Sequence, residues 1–342
     1  MSDLDLPFIW FGVFVILITA YAILDGFDLG VGIFHLFSKS DKERRLMLNS
    51  IGPVWDGNEV WLVTGGGALF AGFPIMYATL CSAFYIPIMV LLGGIIFRAV
   101  AIEFRSKRTA SWWRWMWDVL FSFASFVIAL GLGLVMGNLI EGIPLDENYE
   151  YVGTFSDLVT PYALMIGVFA VSIFSMHGLI YALMKTEGQL HDKLRDWINP
   201  SIILFICMYV VATATTLIYQ EHMADMIRER PWFFLIALVN MGAIAMIPRE
   251  ITREKDGAAF LFSCFNIICL MTLYGVGTYP NVIRASNGPQ ELSLTIWNSA
   301  SSDKTLGILL LIAVIGVPMV IGYTTVVYTV FRGKVRLDST SY

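Results

Sequence analysis

Two pairs of acidic residues lie inside long apolar stretches of this sequence. Asp25 and Asp28 belong to the segment DGFDLG, and Asp56 and Glu59 belong to the segment WDGNEVW. The members of each pair are three residues apart, a spacing that places them on one side of a helix. An ionisable side chain near the centre of a membrane helix costs about 2.5–3.5 kcal/mol on insertion scales, so such residues usually have a function.

Carboxyl groups that are clustered in a medium of low dielectric constant cannot all remain ionised, because burial and mutual repulsion favour the uptake of protons. Such groups can bind and release protons near neutral pH, as a proton pathway requires. The sequence therefore predicts a proton pathway that contains Asp25, Asp28, Asp56 and Glu59. In the structural alternative these acids cap helices or pair with Arg98, at the predicted cytoplasmic end of the third span.

The elements that carry these acids are predicted to be membrane spans. Of the 342 residues, 57% are hydrophobic and 14% are charged, whereas a soluble domain carries about a quarter charged residues. This composition excludes an ordinary soluble enzyme, a secreted disulfide-linked scaffold and a nucleic-acid-binding protein. Segments of roughly 20 apolar residues are long enough to cross a bilayer. The nine predicted spans are residues 8–36, 51–73, 75–97, 115–138, 159–184, 201–220, 232–248, 257–278 and 304–331.

The basic residues predict the orientation of these spans. With nine spans, 18 of the 22 Lys and Arg residues fall on the side that holds the C-terminus. By the positive-inside rule the N-terminus is outside and the C-terminus is cytoplasmic. Asp56 then lies about 8 Å from the cytoplasmic connection 37–50, at 1.5 Å per residue. Residues 1–342 are predicted to form a single all-α transmembrane domain without a soluble domain.

Other candidate residues have structural interpretations. Gly26 and Gly30 are four residues apart, so we expect a neighbouring helix to approach the first span closely there. Asp118, at the start of the fourth span, is either a helix cap or a further acid of the pathway. His177 is the one histidine in the interior of a predicted span, since His35 lies at the end of the first span, so the spans have no pair of histidines for a bis-imidazole haem. We expect His177 to form a hydrogen bond to a neighbouring helix.

Several long motifs resemble one family of respiratory enzymes. They are GFDLGVG in the first span, ERRLMLNSIGPVWDGNEVWLVTGGGALFAGFP in and before the second, FRAVAIEFRSK after the third, GNLIEGIP, KTEGQL and SLTIWNSASSDKTL. Together they resemble subunit II of the cytochrome bd-type ubiquinol/menaquinol oxidases, from near residue 8 to near residue 333. The resemblance implies a multi-pass protein of the bacterial cytoplasmic (inner) membrane.

The resemblance also implies an activity and a division of labour. The family's enzyme oxidises quinol and reduces dioxygen to water in aerobic respiration, taking its protons from the cytoplasm without pumping. Haems b558, b595 and d and the quinol-oxidising loop are expected in the partner, subunit I. This chain is then expected to ligate no haem or metal and to hold no catalytic residue. A structural quinone and a small accessory subunit are compatible with the resemblance, and the chain is expected to contact membrane lipids.

Individual residues take roles from the same resemblance. Asp28 and Asp56 would line a proton route towards the haems at the subunit interface, with Asp25 and Glu59 as further members. Some relatives carry glutamine at the position of Glu59. The residues of the same motifs that would support the route are Trp55, Asn58 and Arg98.

A second class of function also fits intramembrane carboxylates, namely a proton-coupled secondary transporter. Such a transporter is expected to contain corresponding broken helices in two halves of the chain. The sequence contains one acidic hairpin and no such pair, which favours the oxidase subunit.

Overall fold

The computed structural model describes residues 5–337, which are mostly helical. Within these residues the chain forms twelve α-helices and one antiparallel pair of short strands. The helices are α1 (Leu6–His35), α2 (Asp41–Ile51), α3 (Trp55–Gly72), α4 (Pro74–Ala83), α5 (Tyr85–Phe104), α6 (Ser111–Glu141), α7 (Pro161–Lys185), α8 (Gln189–Tyr219), α9 (Asp225–Glu229), α10 (Phe234–Thr252), α11 (Asp256–Thr278) and α12 (Asp303–Val330). The strands are β1 (Asn281–Ile283) and β2 (Leu294–Thr295).

Eight helices of the described chain are long and apolar enough to cross a membrane: α1, α5, α6, α7, α8, α10, α11 and α12. This confirms the prediction of an all-α polytopic membrane protein. The predicted second span, residues 51–73, corresponds to α3, which has 18 residues and is not among the eight. Its first turns, WDGNE, are polar and lower its mean hydropathy.

The predicted third span, residues 75–97, differs from the observed helices. The chain breaks at Phe84, between α4 and α5, and α5 continues to Phe104. Pro87 explains the break, because it has no N–H to donate to the carbonyl group of Ala83, four residues earlier. Arg98 therefore lies inside α5 and not at its end, and it is fully buried.

The centre of the helical bundle is formed by α1 and α7, and α12 lies at its edge. Within the apolar stretch of α7, 72% of the residues are buried, compared with 6% in α12. The two central helices cross at Gly30 and Gly178. A methyl group added at Gly30 would lie 1.9 Å from the carbonyl oxygen of Phe174, and Gly26 faces the Phe174 ring. The close approach predicted at Gly26 and Gly30 is thus confirmed, with α7 as the neighbour.

The two long connections between helix ends pack against each other. β1 and β2 pair within the connection 279–302, and Ile143 in the connection 142–160 bridges to Ala285. Leu145 donates its backbone N–H to the side chain of Asn287 at 2.7 Å. Together the connections enclose a second apolar core, which also contacts the start of α1.

Candidate functional site

Asp25 and Arg98 form a buried ion pair between α1 and α5. Arg98 donates from Nη2 to Asp25 Oδ1 at 2.6 Å and from Nη1 to Oδ2 at 3.0 Å, and neither side chain is exposed. Such two-point pairs are strong and directional. This is the pairing with Arg98 that the sequence offers as the structural alternative, and Asp25 adopts it. Asp25 is the counter-ion of Arg98.

Asp28 and Glu59 lie next to this ion pair but keep unpaired oxygen atoms. Asp28 accepts a hydrogen bond at Oδ2 from Asn58 Nδ2 at 2.8 Å. Glu59 Oε1 is 3.6 Å from Arg98 Nη1, which is too long for a hydrogen bond. Asp28 Oδ1 and Glu59 Oε1 are buried and have no hydrogen-bond partner among the described residues. Since buried polar atoms normally have partners, these two atoms mark positions for water or for an exchangeable proton.

The charges of this group are unbalanced. We call Asp25, Asp28, Glu59 and Arg98 the acid cluster; it contains three carboxyl groups and one guanidinium. Full ionisation would leave two buried negative charges without a counter-ion, which is unfavourable, so the cluster favours binding protons. Tyr21, one turn before Asp25 on α1, adds a buried hydroxyl that also has no partner within the described chain. The cluster thus combines exchangeable protons with unpaired polar atoms.

Asp56 is not part of the acid cluster, although the sequence groups it with Asp25, Asp28 and Glu59. The side of α3 that packs on α1 carries Asn58, Gly65 and Gly72. At 3.6 residues per turn, Asp56 lies roughly 200° around the helix from Asn58. It is exposed in the first turn of α3, where the helix dipole favours a negative charge. Trp55, by contrast, is buried in the main apolar core.

A second group of charges surrounds the buried side chain of Asp118. Its Oδ1 accepts from Arg105 Nε at 2.5 Å and is 2.5 Å from His35 Nε2, and its Oδ2 accepts from Arg44 at 2.9 Å and from Arg105 at 3.2 Å. Asp41 accepts from Arg105 at 2.9 Å and from Arg114 at 3.0 Å. We call these residues the arginine cluster, which consists of Asp41, Asp118, His35, Arg44, Arg105 and Arg114.

The sequence did not indicate the arginine cluster as a unit. Asp118 is not a helix cap, since it lies within α6 and both of its oxygens form ion pairs. The signal that was available is the concentration of arginines in α2, in the connection 105–110 and at the start of α6. Because four separate segments contribute, that concentration alone could not show which acid they surround.

His177 has partners at both ring nitrogens, as a histidine that links helices requires. Nε2 lies 3.0 Å from the carbonyl oxygen of Ile23 and donates to it, and Nδ1 accepts from the hydroxyl of Ser263. The ring stacks on Phe260 with centroids 4.9 Å apart. A haem iron needs a free ring nitrogen, so this environment does not fit an axial ligand. Among the described residues, no group of three or more His, Cys, Asp or Glu side chains could hold a metal ion.

Comparisons with known proteins agree with the motifs. Residues 6–331 match the family model described as cytochrome bd terminal oxidase subunit II. The chain is 34% identical to cytochrome bd-I ubiquinol oxidase subunit 2 of Escherichia coli K12, covering 97% of this chain and 96% of that one. It is 33% identical to cytochrome bd ubiquinol oxidase subunit 2 of Bacillus subtilis 168, covering 96% of each.

The fold is also similar to a solved structure, that of the bd oxidase from Geobacillus thermodenitrificans. The TM-score is 0.78 at 15% identity, and the match covers 96% of this chain and 99% of that one. At this level of identity the likeness shows the fold. The sequence relatives and the family model carry the assignment: the chain belongs to the cytochrome bd terminal oxidase subunit II family.

Proposed function

We propose that this chain is the haem-free subunit of a bacterial quinol:oxygen oxidoreductase of the bd type, in the cytoplasmic membrane. The full-length similarity to ubiquinol oxidase subunits supports this activity. Because the chain belongs to this family, we prefer the oxidase subunit to the proton-coupled secondary transporter. We place the haems and the quinol-oxidising loop in subunit I, as the resemblance implies. The one histidine in the interior of a predicted span, His177, uses both ring nitrogens within this chain.

Within that enzyme, we propose that the acid cluster conducts protons from the cytoplasm. The observation that carries this proposal is the pair of unpaired buried oxygens, Asp28 Oδ1 and Glu59 Oε1, beside a guanidinium whose two terminal nitrogens both donate to Asp25. Asp25 neutralises the positive charge of Arg98, so Asp28 and Glu59 remain to bind and release protons. Water molecules bound to the unpaired oxygens would complete a hydrogen-bonded path between Asp28 and Glu59.

Asp56 extends this proposed route to the surface of the chain. It lies one turn from Glu59 on α3 and is exposed, while Glu59 is only 12% exposed. An exposed carboxylate on an otherwise apolar helix face is suited to an aqueous contact with a neighbouring subunit. We place Asp56 at the surface that subunit I covers, where protons enter, and the order of transfer is Asp56, Glu59 and Asp28.

We further propose that α3 also crosses the membrane, which brings the number of spans to nine, and that the N-terminus is outside. α3 runs antiparallel to α1: Asn58 contacts Leu24, Gly65 faces Ile18 and Gly72 faces Trp10. The stretch of α1 from residue 28 to residue 10 that α3 follows is about 27 Å long at 1.5 Å per residue, close to the hydrocarbon thickness. The polar first turns of α3 do not prevent its insertion, because they pack on α1 and Asn58 binds Asp28.

Labelling with a membrane-impermeant thiol reagent tests the topology. Asp5→Cys and Asn148→Cys should react from the outside of intact cells, and Arg336→Cys should react only after the membrane is opened. The unsubstituted chain corrects for its native cysteines. Reaction of Asp5→Cys and Arg336→Cys from the same side would mean an even number of spans and would exclude α3.

Turnover of the assembled oxidase tests the proton pathway. Asn and Gln keep the size and much of the hydrogen bonding of the carboxylates but cannot titrate. We expect Asp28→Asn and Glu59→Gln to retain the bd haem spectrum while quinol-driven oxygen uptake per complex falls at least about tenfold, or ~1.4 kcal/mol in the limiting barrier. Glu147→Gln, an exposed acid of the connection 142–160, is the matched control. Full turnover in both variants would remove the acid cluster from the pathway.

A further inference from the structure

α12 is the most exposed of the long helices, yet one of its side chains reaches the acid cluster. Tyr328, near the end of α12, donates from its hydroxyl to Asn58 Oδ1 at 2.8 Å. Asn58 is 2% exposed, and its amide nitrogen donates to Asp28 Oδ2 at 2.8 Å and to the carbonyl oxygen of Leu24 at 3.2 Å. A continuous hydrogen-bonded chain therefore runs from Tyr328 through Asn58 to Asp28.

This chain has a direction that the amide of Asn58 determines. An amide presents an acceptor oxygen on one side and two donor hydrogens on the other. With the Tyr328 hydroxyl on the oxygen, both hydrogens face Asp28 and Leu24. A reversed amide would place its oxygen against the Leu24 carbonyl and the Asp28 carboxylate, which are also acceptors. The Tyr328 hydroxyl stabilises the orientation in which Asn58 donates to Asp28.

We propose that Tyr328 is a positioning residue for proton transfer: through Asn58 it fixes the Asp28 carboxylate so that Oδ1 is the atom that binds and releases the proton. This inference rests on the proposed function of the acid cluster. Asp28 Oδ2 is occupied by the amide hydrogen, whereas Oδ1 is buried and has no partner within the described chain. The O–H bond therefore forms at Oδ1 when a proton arrives and breaks at the same atom when it leaves.

Other groups surround Asp28, and the test must separate them from Tyr328. The titratable and charged groups that act on it are Asp25 on α1, Glu59 on α3, Arg98 on α5, Tyr181 on α7 and Tyr328 on α12. Of these, Tyr328 is the one that hydrogen-bonds Asn58, so removing its hydroxyl leaves the ion pair of Asp25 and Arg98 in place.

The experiment compares oxygen uptake per assembled complex, as a function of pH, for Tyr328→Phe and for Tyr323→Phe. Tyr323 lies on the same helix and is 68% exposed, so it is a matched control. We expect Tyr328→Phe to lower uptake about three- to tenfold and to move the pH of half-maximal uptake upward by about 0.5–1 unit. The reason is that a less well-oriented Asn58 amide stabilises the Asp28 carboxylate less. A shift of this size corresponds to the free energy of about one hydrogen bond. Tyr323→Phe should match the unsubstituted enzyme.

The same change in an Asp28→Asn background completes the test. If Tyr328 acts through Asp28, adding Tyr328→Phe to Asp28→Asn produces no further loss, because the two residues belong to one unit. An equal further loss there would overturn the inference, as would a Tyr328→Phe profile identical to that of Tyr323→Phe. Full turnover of Asp28→Asn and Glu59→Gln would instead overturn the proposed function, so the two failures are distinguishable.

Discussion

The acid cluster and the centre of the arginine cluster, Asp118 with His35 and Arg105, are both buried, but the charges of the two clusters are balanced in opposite ways. Three carboxyl groups share one guanidinium in the acid cluster, whereas two carboxylates face three guanidinium groups in the arginine cluster. Each Asp118 oxygen has two partners, whereas Asp28 Oδ1 has none in the described chain. If the proposed pathway is right, the number of partners at each oxygen, more than burial, separates a carboxylate that exchanges protons from one that holds helices together.

The largest expected effect is that of removing the one cation of the acid cluster. Arg98→Met leaves Asp25 buried without its partner, which destabilises a protein by about 3–5 kcal/mol. We expect the oxidase to be nearly absent from membranes that express this variant, as measured by the bd haem spectrum. Combining it with Asp25→Leu removes both charges, and the assembled complex should return. Normal assembly of the single variant would show that Asp25 does not depend on Arg98.

Asp118→Asn tests whether the arginine cluster, unlike the acid cluster, contributes to stability and not to turnover. Arg44 and Arg105 lose their shared anion, but Arg105 keeps Asp41 and Arg44 is 21% exposed, so the cost should be smaller, about 2–3 kcal/mol. Thermal unfolding of the purified complex measures this loss. Oxygen uptake per assembled complex should remain within about twofold of the unsubstituted enzyme, because a saturated carboxylate exchanges no protons. Slow turnover with normal stability would make Asp118 a pathway residue.

The sequence located the eight long apolar helices, since apolar length is a local property, but it placed α5 seven to ten residues too early and began α8 twelve residues too late. It also predicted the close approach at Gly30, where spacing alone is informative. It could not predict which side of α3 faces α1, because that depends on the packing of Asn58 and Gly65. The sequence therefore grouped Asp56 with the buried acids, although its side chain is exposed.

Contacts between distant segments were also beyond the sequence. The chain from Tyr328 to Asn58 joins residues 270 positions apart, and His35 and Asp118 are 83 positions apart. Neither pair has a local pattern that marks it. Asp25 and Arg98 were named as one of two alternatives, and only the geometry decides that Asp25 uses this partner.

Asp56→Asn tests whether an exposed acid continues the route of the buried ones. We expect the complex to assemble with its haems while oxygen uptake falls by up to about tenfold, or ~1.4 kcal/mol in the barrier, and Asp56→Glu should recover part of the rate. Measurements at equal haem content allow a direct comparison with Asp28→Asn. Normal turnover of Asp56→Asn would confine the pathway to the buried acids, and loss of the haems would assign Asp56 to assembly.

The smallest expected effect is at the ion pair of Glu43 on α2 and Lys193 on α8. Burial raises the pKa of Glu43, but hydrogen bonds from Lys193 and from the backbone of Lys39 and Ser40 outweigh it and lower the pKa below 4.5. A carboxylate with a lowered pKa stabilises the folded state at neutral pH, and this stabilisation is lost as the pH falls below about 4.5.

Glu43→Gln should therefore cost less than about 1 kcal/mol at pH 7, since Lys193 is 40% exposed. The difference in thermal midpoint between Glu43→Gln and the unsubstituted complex should shrink as the pH is lowered towards about 4. A difference that is independent of pH would mean that Glu43 contributes by packing and not by its charge.

The crossing of α1 and α7 at Gly30 and Gly178 restricts how the protein can move. Main-chain atoms meet there directly, and a methyl group at Gly178 would lie 2.5 Å from the Gly30 Cα. Sliding between helices occurs through repacking of side chains, and this crossing has no layer of side chains to repack. The helix that carries Asp25 and Asp28 is thus fixed to the centre of the bundle. In the proposed pathway, protons would therefore move past a stationary frame, by rotation of side chains and reordering of water.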